Sequence, residues 1–215
     1  PDVAKFTFTG STAVGKSLIS QCATTVKRVS MELGGNAPFI VFDDADLDAA
    51  VAGAINSKYR NAGQTCVSTN RLFVQKSVLE AFTEKYVTAV KALSVGDGLQ
   101  EGVSVGPLIN SQALEDVSGL VNDSINQGAV LALGGQRHQA GDNFYQPTIL
   151  TGVSNTMPVA CNEIFGPVTP IIAFDDEAEA IKMANDTEYG LAAYFFSRDI
   201  GRIWRVAEGL EYGMV

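Results

Sequence analysis

Segments that look like β-strands alternate with segments that look like α-helices along most of the chain. The short apolar runs PFIVFDD at 38–44, RLFVQ at 71–75 and PVTPIIAF at 167–174 are typical of buried strands. Between the first two, DLDAAVAGAINSKY at 46–59 has apolar residues at the spacing of one helix face. Because strands and helices alternate, the sequence predicts an α/β fold with a mostly parallel, doubly wound sheet.

The segment GSTAVGKS at residues 10–17 matches the phosphate-binding pattern G-x-x-x-x-G-K-[ST] at every fixed position. A predicted strand, AKFTFT at 4–9, precedes it, and a predicted helix, SLISQCATTV at 17–26, follows it. The pattern therefore keeps open a P-loop nucleotide-binding module at residues 10–17. Against it, a P-loop has to close around a triphosphate, and the downstream sequence supplies no further parts of that machinery.

The composition excludes several classes of partner. The chain carries a formal net charge of −9, which argues against nucleic acid, because a phosphate backbone attracts basic surfaces. No apolar run approaches the ~18 residues of a membrane span. The three cysteines are widely spaced and the one histidine is His138, so we expect no metal site and a reduced, cytoplasmic protein.

One cysteine follows a predicted helix on a turn of small residues. NAGQTC at 61–66 ends in Cys66, for which a buried structural role is the commoner alternative to catalysis. A thiol of pKa ~8.5 needs help to react at neutral pH, and with no histidine nearby a carboxylate is the next choice. Cys22 falls on a predicted helix and Cys161 among apolar neighbours, so we expect Cys66 to be the most accessible of the three.

Two glutamates stand beside glycines. In MELGGN at 31–36, Glu32 follows apolar positions, and burial there would raise its pKa and suit a base that activates water. An ion-paired or strand-edge residue is the alternative. In EIFGP at 163–167, Glu163 has similar surroundings, and a tight turn before a strand is the alternative.

Together and in this order, FTGSTAVG, MELGGNAP, NAGQTC and EIFGP resemble the NAD(P)-dependent aldehyde dehydrogenase superfamily. The resemblance covers essentially all 215 residues, and KYRNAGQTC is similar to the succinate-semialdehyde dehydrogenase branch. It implies that Cys66 attacks the aldehyde carbonyl and that Glu32 activates the water that hydrolyses the resulting thioester. It also implies NAD or NADP as the cofactor. The implied cofactor contacts are Gly10 and Ser11 at the pyrophosphate, and Leu33, Glu163 and Phe165 towards the nicotinamide riboside.

The resemblance also points to the substrate through Arg60, which lies six positions before Cys66. An arginine at a helix end favoured by the dipole is the plainer interpretation. In the semialdehyde branch an arginine here holds the substrate's distant carboxylate, which suits a guanidinium fork. The expected substrate is succinate semialdehyde, with glutarate semialdehyde as the alternative.

The same resemblance divides the chain. Residues 1–34 correspond to the end of a Rossmann-like dinucleotide-binding domain, and 35–215 to a catalytic domain truncated at its C-terminus. We therefore expect a fragment of a longer, homo-oligomeric enzyme, and no dehydrogenase activity from this chain alone.

Overall fold

Two sheets organise the protein, which is described here from a computed structural model covering residues 2–215. The strands are β1 Lys5–Thr9, β2 Arg28–Glu32, β3 Ala37–Val41, β4 Thr69–Gln75, β5 Val130–Leu133, β6 Thr148–Thr151, β7 Val168–Phe174 and β8 Tyr194–Phe196. The α-helices are α1 Thr12–Ala23, α2 Leu47–Tyr59, α3 Leu79–Lys91, α4 Ser111–Asn126, α5 Pro158–Cys161, α6 Glu177–Asn185 and α7 Ile200–Gly209. Short 3₁₀ turns at Arg60–Gly63 and Lys76–Val78 follow α2 and precede α3.

The larger sheet has six strands in the order β5-β6-β7-β4-β3-β8. Every neighbouring pair is parallel except β5 with β6, which is antiparallel at one edge. All five residues of β3 are buried, so helices or loops cover both faces of the sheet at its centre. The prediction of a mostly parallel α/β sheet is confirmed.

The smaller sheet contains only β1 and β2, which are parallel and pair Lys5 with Arg28 through Thr9 with Glu32. Most residues of both strands are exposed. Helix α1 joins the two strands in the manner of one β-α-β unit. The division of the chain at residues 34 and 35 into two domains stays a prediction.

Two elements extend beyond the segments read from the sequence. Helix α1 begins at Thr12, ahead of the helical segment 17–26, because Ser11 caps it by accepting from the Val14 N–H. Strand β5 was missed, since its residues are largely exposed and give no alternating pattern. No helix within residues 2–215 is long and apolar enough to cross a membrane.

Candidate active site

The candidate site lies where the ends of the two sheets meet. Gly10 and Glu32 stand at the carboxyl ends of β1 and β2. The segments before β3, β4 and β7 bring Gly35, Cys66 and Glu163 to the amino ends of three adjacent parallel strands. A cavity of about 560 Å³ opens between these two groups.

Seven of the eight predicted site residues line this one cavity. They are Gly10, Ser11, Glu32, Leu33, Cys66, Glu163 and Phe165. The structure therefore brings together residues from four motifs that are as much as 155 positions apart in the sequence, from Gly10 to Phe165 (165 − 10). It shows their proximity, while their chemical roles stay predictions.

The loop that carries Cys66 is held in an uncommon backbone conformation. Asn61, Ala62 and Gly63 have φ values of 53°, 55° and 77°, in the left-handed region that costs free energy for residues other than glycine. Two reciprocal hydrogen bonds hold the turn. The Asn61 side chain donates to the Gln64 carbonyl at 3.0 Å, and the Gln64 side chain donates to the Asn61 carbonyl at 3.1 Å. Cys66, two residues further on, is half-buried at the cavity wall.

Glycines let the loops approach one another closely. A Cβ on Gly35 would overlap the Cys66 carbonyl oxygen, and a Cβ on Gly34 would lie 2.6 Å from Glu163 Oε2. A Cβ on Gly63 would likewise overlap the carbonyl oxygen of Gly166. Backbone contact with the Cys66 motif therefore requires glycine at position 35, and glycine at position 34 leaves room for the Glu163 carboxylate.

Glu163 is a half-buried acid at the cavity wall. Its Oε1 accepts a 3.0 Å hydrogen bond from the Gly35 N–H. Burial raises the pKa of Glu163 above its ordinary value, against the Gly35 hydrogen bond and the charge of Lys58, which both lower it. Lys58 is 1% exposed, and burial lowers its pKa to about 7 although the nearby Glu163 charge opposes that shift.

The structure contradicts the predicted burial of Glu32. Its side chain is exposed, because in the described residues 2–215 β2 belongs to a two-stranded sheet and pairs with β1 alone. Within residues 2–215 Glu32 is therefore a strand-edge residue, which was the alternative interpretation of its sequence. Its carboxylate is open to water, and its backbone carbonyl accepts the Gly10 N–H at 3.0 Å.

The segment 10–17 does not form a P-loop. Helix α1 already begins at Thr12, so Lys16 is an exposed helix residue and stands 3.9 Å from Glu188 in a surface ion pair. A loop that wraps a triphosphate is therefore not available here. Gly10 and Ser11 instead place the amino end of a twelve-residue helix at the cavity, where its free N–H groups favour an anion such as a pyrophosphate.

Arg60 is the one predicted residue outside this cavity. It lines a second cavity of about 450 Å³ with Val67 and Tyr194. Val67 follows Cys66 directly and accepts a 2.7 Å hydrogen bond from the Tyr194 hydroxyl through its carbonyl. The second cavity therefore reaches the Cys66 loop next to the first. Arg60 is exposed, and it forms no ion pair within residues 2–215.

The polar groups that line the cavity suit a dinucleotide better than they suit a metal ion. Part of its wall is a helix amino end and another part is a carboxylate, which suit a phosphate and a hydroxyl-bearing sugar. The Thr65 hydroxyl beside Cys66 is buried with no hydrogen-bond partner in the described part of the chain. No group of three or more His, Cys, Asp or Glu in residues 2–215 could hold a metal.

Two buried residues beside Glu163, Lys58 and Asn70, are not among the predicted site residues. A larger apolar cavity of about 920 Å³, lined by residues such as Leu79, Val87 and Ile171, contains none of the predicted site residues. The site is therefore not the largest cavity of the protein.

Comparison with known proteins agrees with this geometry. The chain is 58% identical over 215 residues to a 3-sulfolactaldehyde dehydrogenase of Pseudomonas putida and 55% identical to a succinate-semialdehyde dehydrogenase [NADP(+)] of Escherichia coli, and covers 44% and 45% of their lengths. It superposes with a TM-score of 0.98 on the crystal structure of a succinate-semialdehyde dehydrogenase from Burkholderia pseudomallei, at 59% identity, covering 99% of this chain and 44% of that one. The chain thus spans less than half the length of these relatives. The model of the aldehyde dehydrogenase family matches residues 1–215, and the chain belongs to the aldehyde dehydrogenase family.

Proposed function

We propose that this chain is part of an NAD(P)-dependent dehydrogenase that oxidises an aldehyde carrying an anionic group at its far end. Residues 1–34 would be the end of the dinucleotide-binding domain, and 35–215 most of the catalytic domain. The observation that carries the proposal is the cavity that joins Cys66 and Glu32 to a helix amino end and to Glu163. We also propose that the full-length enzyme is cytoplasmic and homo-oligomeric.

Cys66 is the proposed nucleophile. Its thiolate adds to the aldehyde carbon and forms a thiohemiacetal, whose oxyanion the backbone N–H of Cys66 helps to stabilise. A bound dinucleotide would supply the acceptor for the hydride that leaves this carbon. The product on Cys66 is a thioester.

Glu32 is the proposed base for the second half of the reaction. It takes a proton from water, the water oxygen adds to the thioester carbon, and the C–S bond breaks. The acid is released and Cys66 returns to its thiolate. The shared cavity of Glu32 and Cys66 supports this role.

The proposed cofactor is NAD or NADP. The amino end of α1 at Gly10 and Ser11 would hold the pyrophosphate, and Leu33, Glu163 and Phe165 would hold the nicotinamide riboside. The contact of Leu33 with α1 supports this arrangement, because a Cβ on Gly15 would lie only 2.5 Å from Leu33 Cδ2. The proposed pyrophosphate site on α1 is therefore packed against Leu33 of the proposed nicotinamide riboside site.

Arg60 is the proposed reader of the substrate's anionic group. It lines the second cavity beside the Cys66 loop, and within residues 2–215 it has no ion-pair partner. Relatives named for succinate semialdehyde, glutarate semialdehyde and 3-sulfolactaldehyde all act on aldehydes with a distant acid group. A guanidinium fork suits both a carboxylate and a sulfonate. Succinate semialdehyde is the proposed substrate, with the other two as alternatives.

The test compares Arg60→Leu with the unmodified protein in the longest natural chain that contains these 215 residues. Removal of a charge-assisted hydrogen bond costs on the order of 1.5–3 kcal/mol, so kcat/KM for succinate semialdehyde should fall roughly ten- to over a hundredfold. Oxidation of neutral butyraldehyde should change little.

The matched control is Arg137→Leu, which removes another exposed arginine that pairs only loosely with Glu115 at 4.0 Å. It should leave both substrates unaffected. Equal losses on charged and neutral aldehydes in Arg60→Leu would mean that Arg60 supports the catalytic loop instead. Absence of any dinucleotide-dependent aldehyde oxidation in the unmodified protein would overturn the proposed function itself.

A further inference from the structure

The carboxamide of Asn70 holds the peptide units on both sides of Glu163. Its Nδ2 donates to the Asn162 carbonyl at 2.7 Å, and its Oδ1 accepts the Ile164 N–H at 3.0 Å. Asn70 is 3% exposed, so these bonds form away from water. The orientation of the amide is fixed, because a flip would set its NH₂ group against the Ile164 N–H. Glu163 is the one residue between the two clamped peptide units.

The same carboxamide also reaches the segment that binds the Glu163 carboxylate. Its second N–H donates to Asn36 Oδ1 at 2.7 Å, and Asn36 follows Gly35, whose N–H donates to Glu163. The Asn36 carbonyl in turn accepts from the buried Arg71 guanidinium at 3.1 and 3.3 Å. One buried side chain therefore joins the backbone that carries Glu163 to the backbone that holds its carboxylate.

We propose that Asn70 is a positioning residue that sets where the Glu163 carboxylate lies in the cavity, and thereby sets the affinity for the dinucleotide. This inference rests on the proposed function, since it concerns how the same cavity binds its cofactor. Both N–H groups of the Asn70 carboxamide and its oxygen are engaged by the protein. Asn70 therefore acts through Glu163 and not by touching a ligand.

Two variants remove the clamp in different ways. Asn70→Asp keeps the shape but turns an oxygen towards the Asn162 carbonyl and Asn36 Oδ1, which replaces two hydrogen bonds by repulsion. Asn70→Ala removes the group without adding charge and serves if the first variant fails to fold. In the longest natural chain, each should weaken the binding of NAD or NADP, whichever the protein binds, by about tenfold, read as a dissociation constant by calorimetry. Hydrogen exchange at the Ile164 amide should become faster in Asn70→Ala, which removes the oxygen that accepts from this N–H, and not in Asn70→Asp, which keeps it.

The matched control is Thr169→Val, which also deletes a buried polar group, the one that binds the hydroxyls of Tyr59 and Tyr86. It should leave the dinucleotide dissociation constant unchanged. The KM for the aldehyde should change by less than about twofold in the Asn70 variants, because Arg60 and its cavity lie outside the clamp.

A double-mutant cycle decides whether Asn70 acts through Glu163. In a Glu163→Gln background, Asn70→Ala should have almost no further effect on dinucleotide binding, since the group that it positions is already lost. Effects that multiply in the double variant would overturn the inference and leave Asn70 a general structural residue. The inference would also be overturned if Asn70→Asp and Asn70→Ala both left the dinucleotide dissociation constant unchanged. If the unmodified protein bound neither dinucleotide, the proposed function would fail, and the positioning role would fall with it.

Discussion

The backbone N–H of Gly35 donates a 3.0 Å hydrogen bond to Oε1 of Glu163, which lies 128 positions further along the chain. This bond joins the segment before β3 to the segment before β7, although β4 stands between these two strands in the sheet. The Cys66 loop precedes β4, the strand between β3 and β7, and the Cys66 carbonyl oxygen lies against Gly35. The order of the strands thus explains how three distant motifs reach one cavity.

The charge of Glu163 should matter for dinucleotide binding. Glu163→Gln keeps the shape and an acceptor for Gly35 but loses the carboxylate, so we expect a dissociation constant roughly ten- to over a hundredfold larger. Because burial raises the pKa of Glu163, affinity in the unmodified protein should fall as the solution is acidified and the carboxylate takes up a proton. The variant should show no such pH dependence. Calorimetry across pH 5 to 8 checks both, and identical pH profiles would contradict the assigned role.

Much of the site could be predicted because its residues follow local rules. Glycine at positions 34 and 35 indicated close backbone approach, and the structure shows it at Cys66 and Glu163. The predicted burial of Glu32 is wrong, since apolar neighbours in sequence do not reveal that β2 pairs with one strand alone among residues 2–215.

The role of Asn70 could not be predicted, because its bonds reach Asn36 and Asn162, 34 and 92 positions away. Such pairings depend on the order of strands in the sheet, which no local pattern gives. Lys58 did leave a signal that was overlooked. It lies four residues after Ala54 and seven after Val51, on the buried stripe of α2.

Bound dinucleotide should protect Cys66 from alkylation, and this protection, not solvent accessibility, should distinguish Cys66 from the other cysteines. The expectation that Cys66 is the most accessible is wrong, because Cys161 is exposed and Cys66 is half-buried, while Cys22 is buried. Iodoacetamide should therefore label both Cys161 and Cys66. Saturating dinucleotide should slow labelling of Cys66 severalfold, because Cys66 shares its cavity with the proposed cofactor contacts, and should leave Cys161 unaffected. Mass spectrometry of labelled peptides measures both rates, and equal protection of the two cysteines would argue against a Cys66 nucleophile in that cavity.

The two halves of the proposed reaction should separate in Glu32→Gln. Hydride transfer precedes the activation of water, so the variant should still produce a rapid burst of reduced dinucleotide. Steady-state turnover should fall by about 10²–10⁴-fold, the usual contribution of a general base. Stopped-flow absorbance of the reduced dinucleotide follows both phases. Loss of the burst together with turnover would mean that Glu32 acts before the thioester forms.

The burial of Lys58 should make stability depend on pH in a predictable direction. Its pKa is about 7 in the folded protein and near the ordinary lysine value of 10.5 in the unfolded chain. Both states therefore hold the proton below pH 7, and the cost of burying the charge is complete there. Between pH 7 and pH 10.5 the folded protein loses this proton while the unfolded chain keeps it. The unmodified protein is therefore stabilised relative to Lys58→Met as the pH rises, by about 1.4 kcal/mol per pH unit at most.

We thus expect the advantage of Lys58→Met in the free energy of unfolding to shrink by on the order of 2 kcal/mol from pH 7 to pH 9. Urea denaturation at several pH values measures this difference. Lys58→Gln is the control. The change of the stability difference with pH arises from the titration of Lys58 in the unmodified protein, so any neutral replacement should show the same change with pH. The absolute stabilities of the two variants are expected to differ, since methionine packs in an apolar site better than an amide. A difference that stayed constant from pH 6 to pH 10 in both variants would show that Lys58 keeps its charge in the folded protein, and that the Glu163 carboxylate compensates its burial fully.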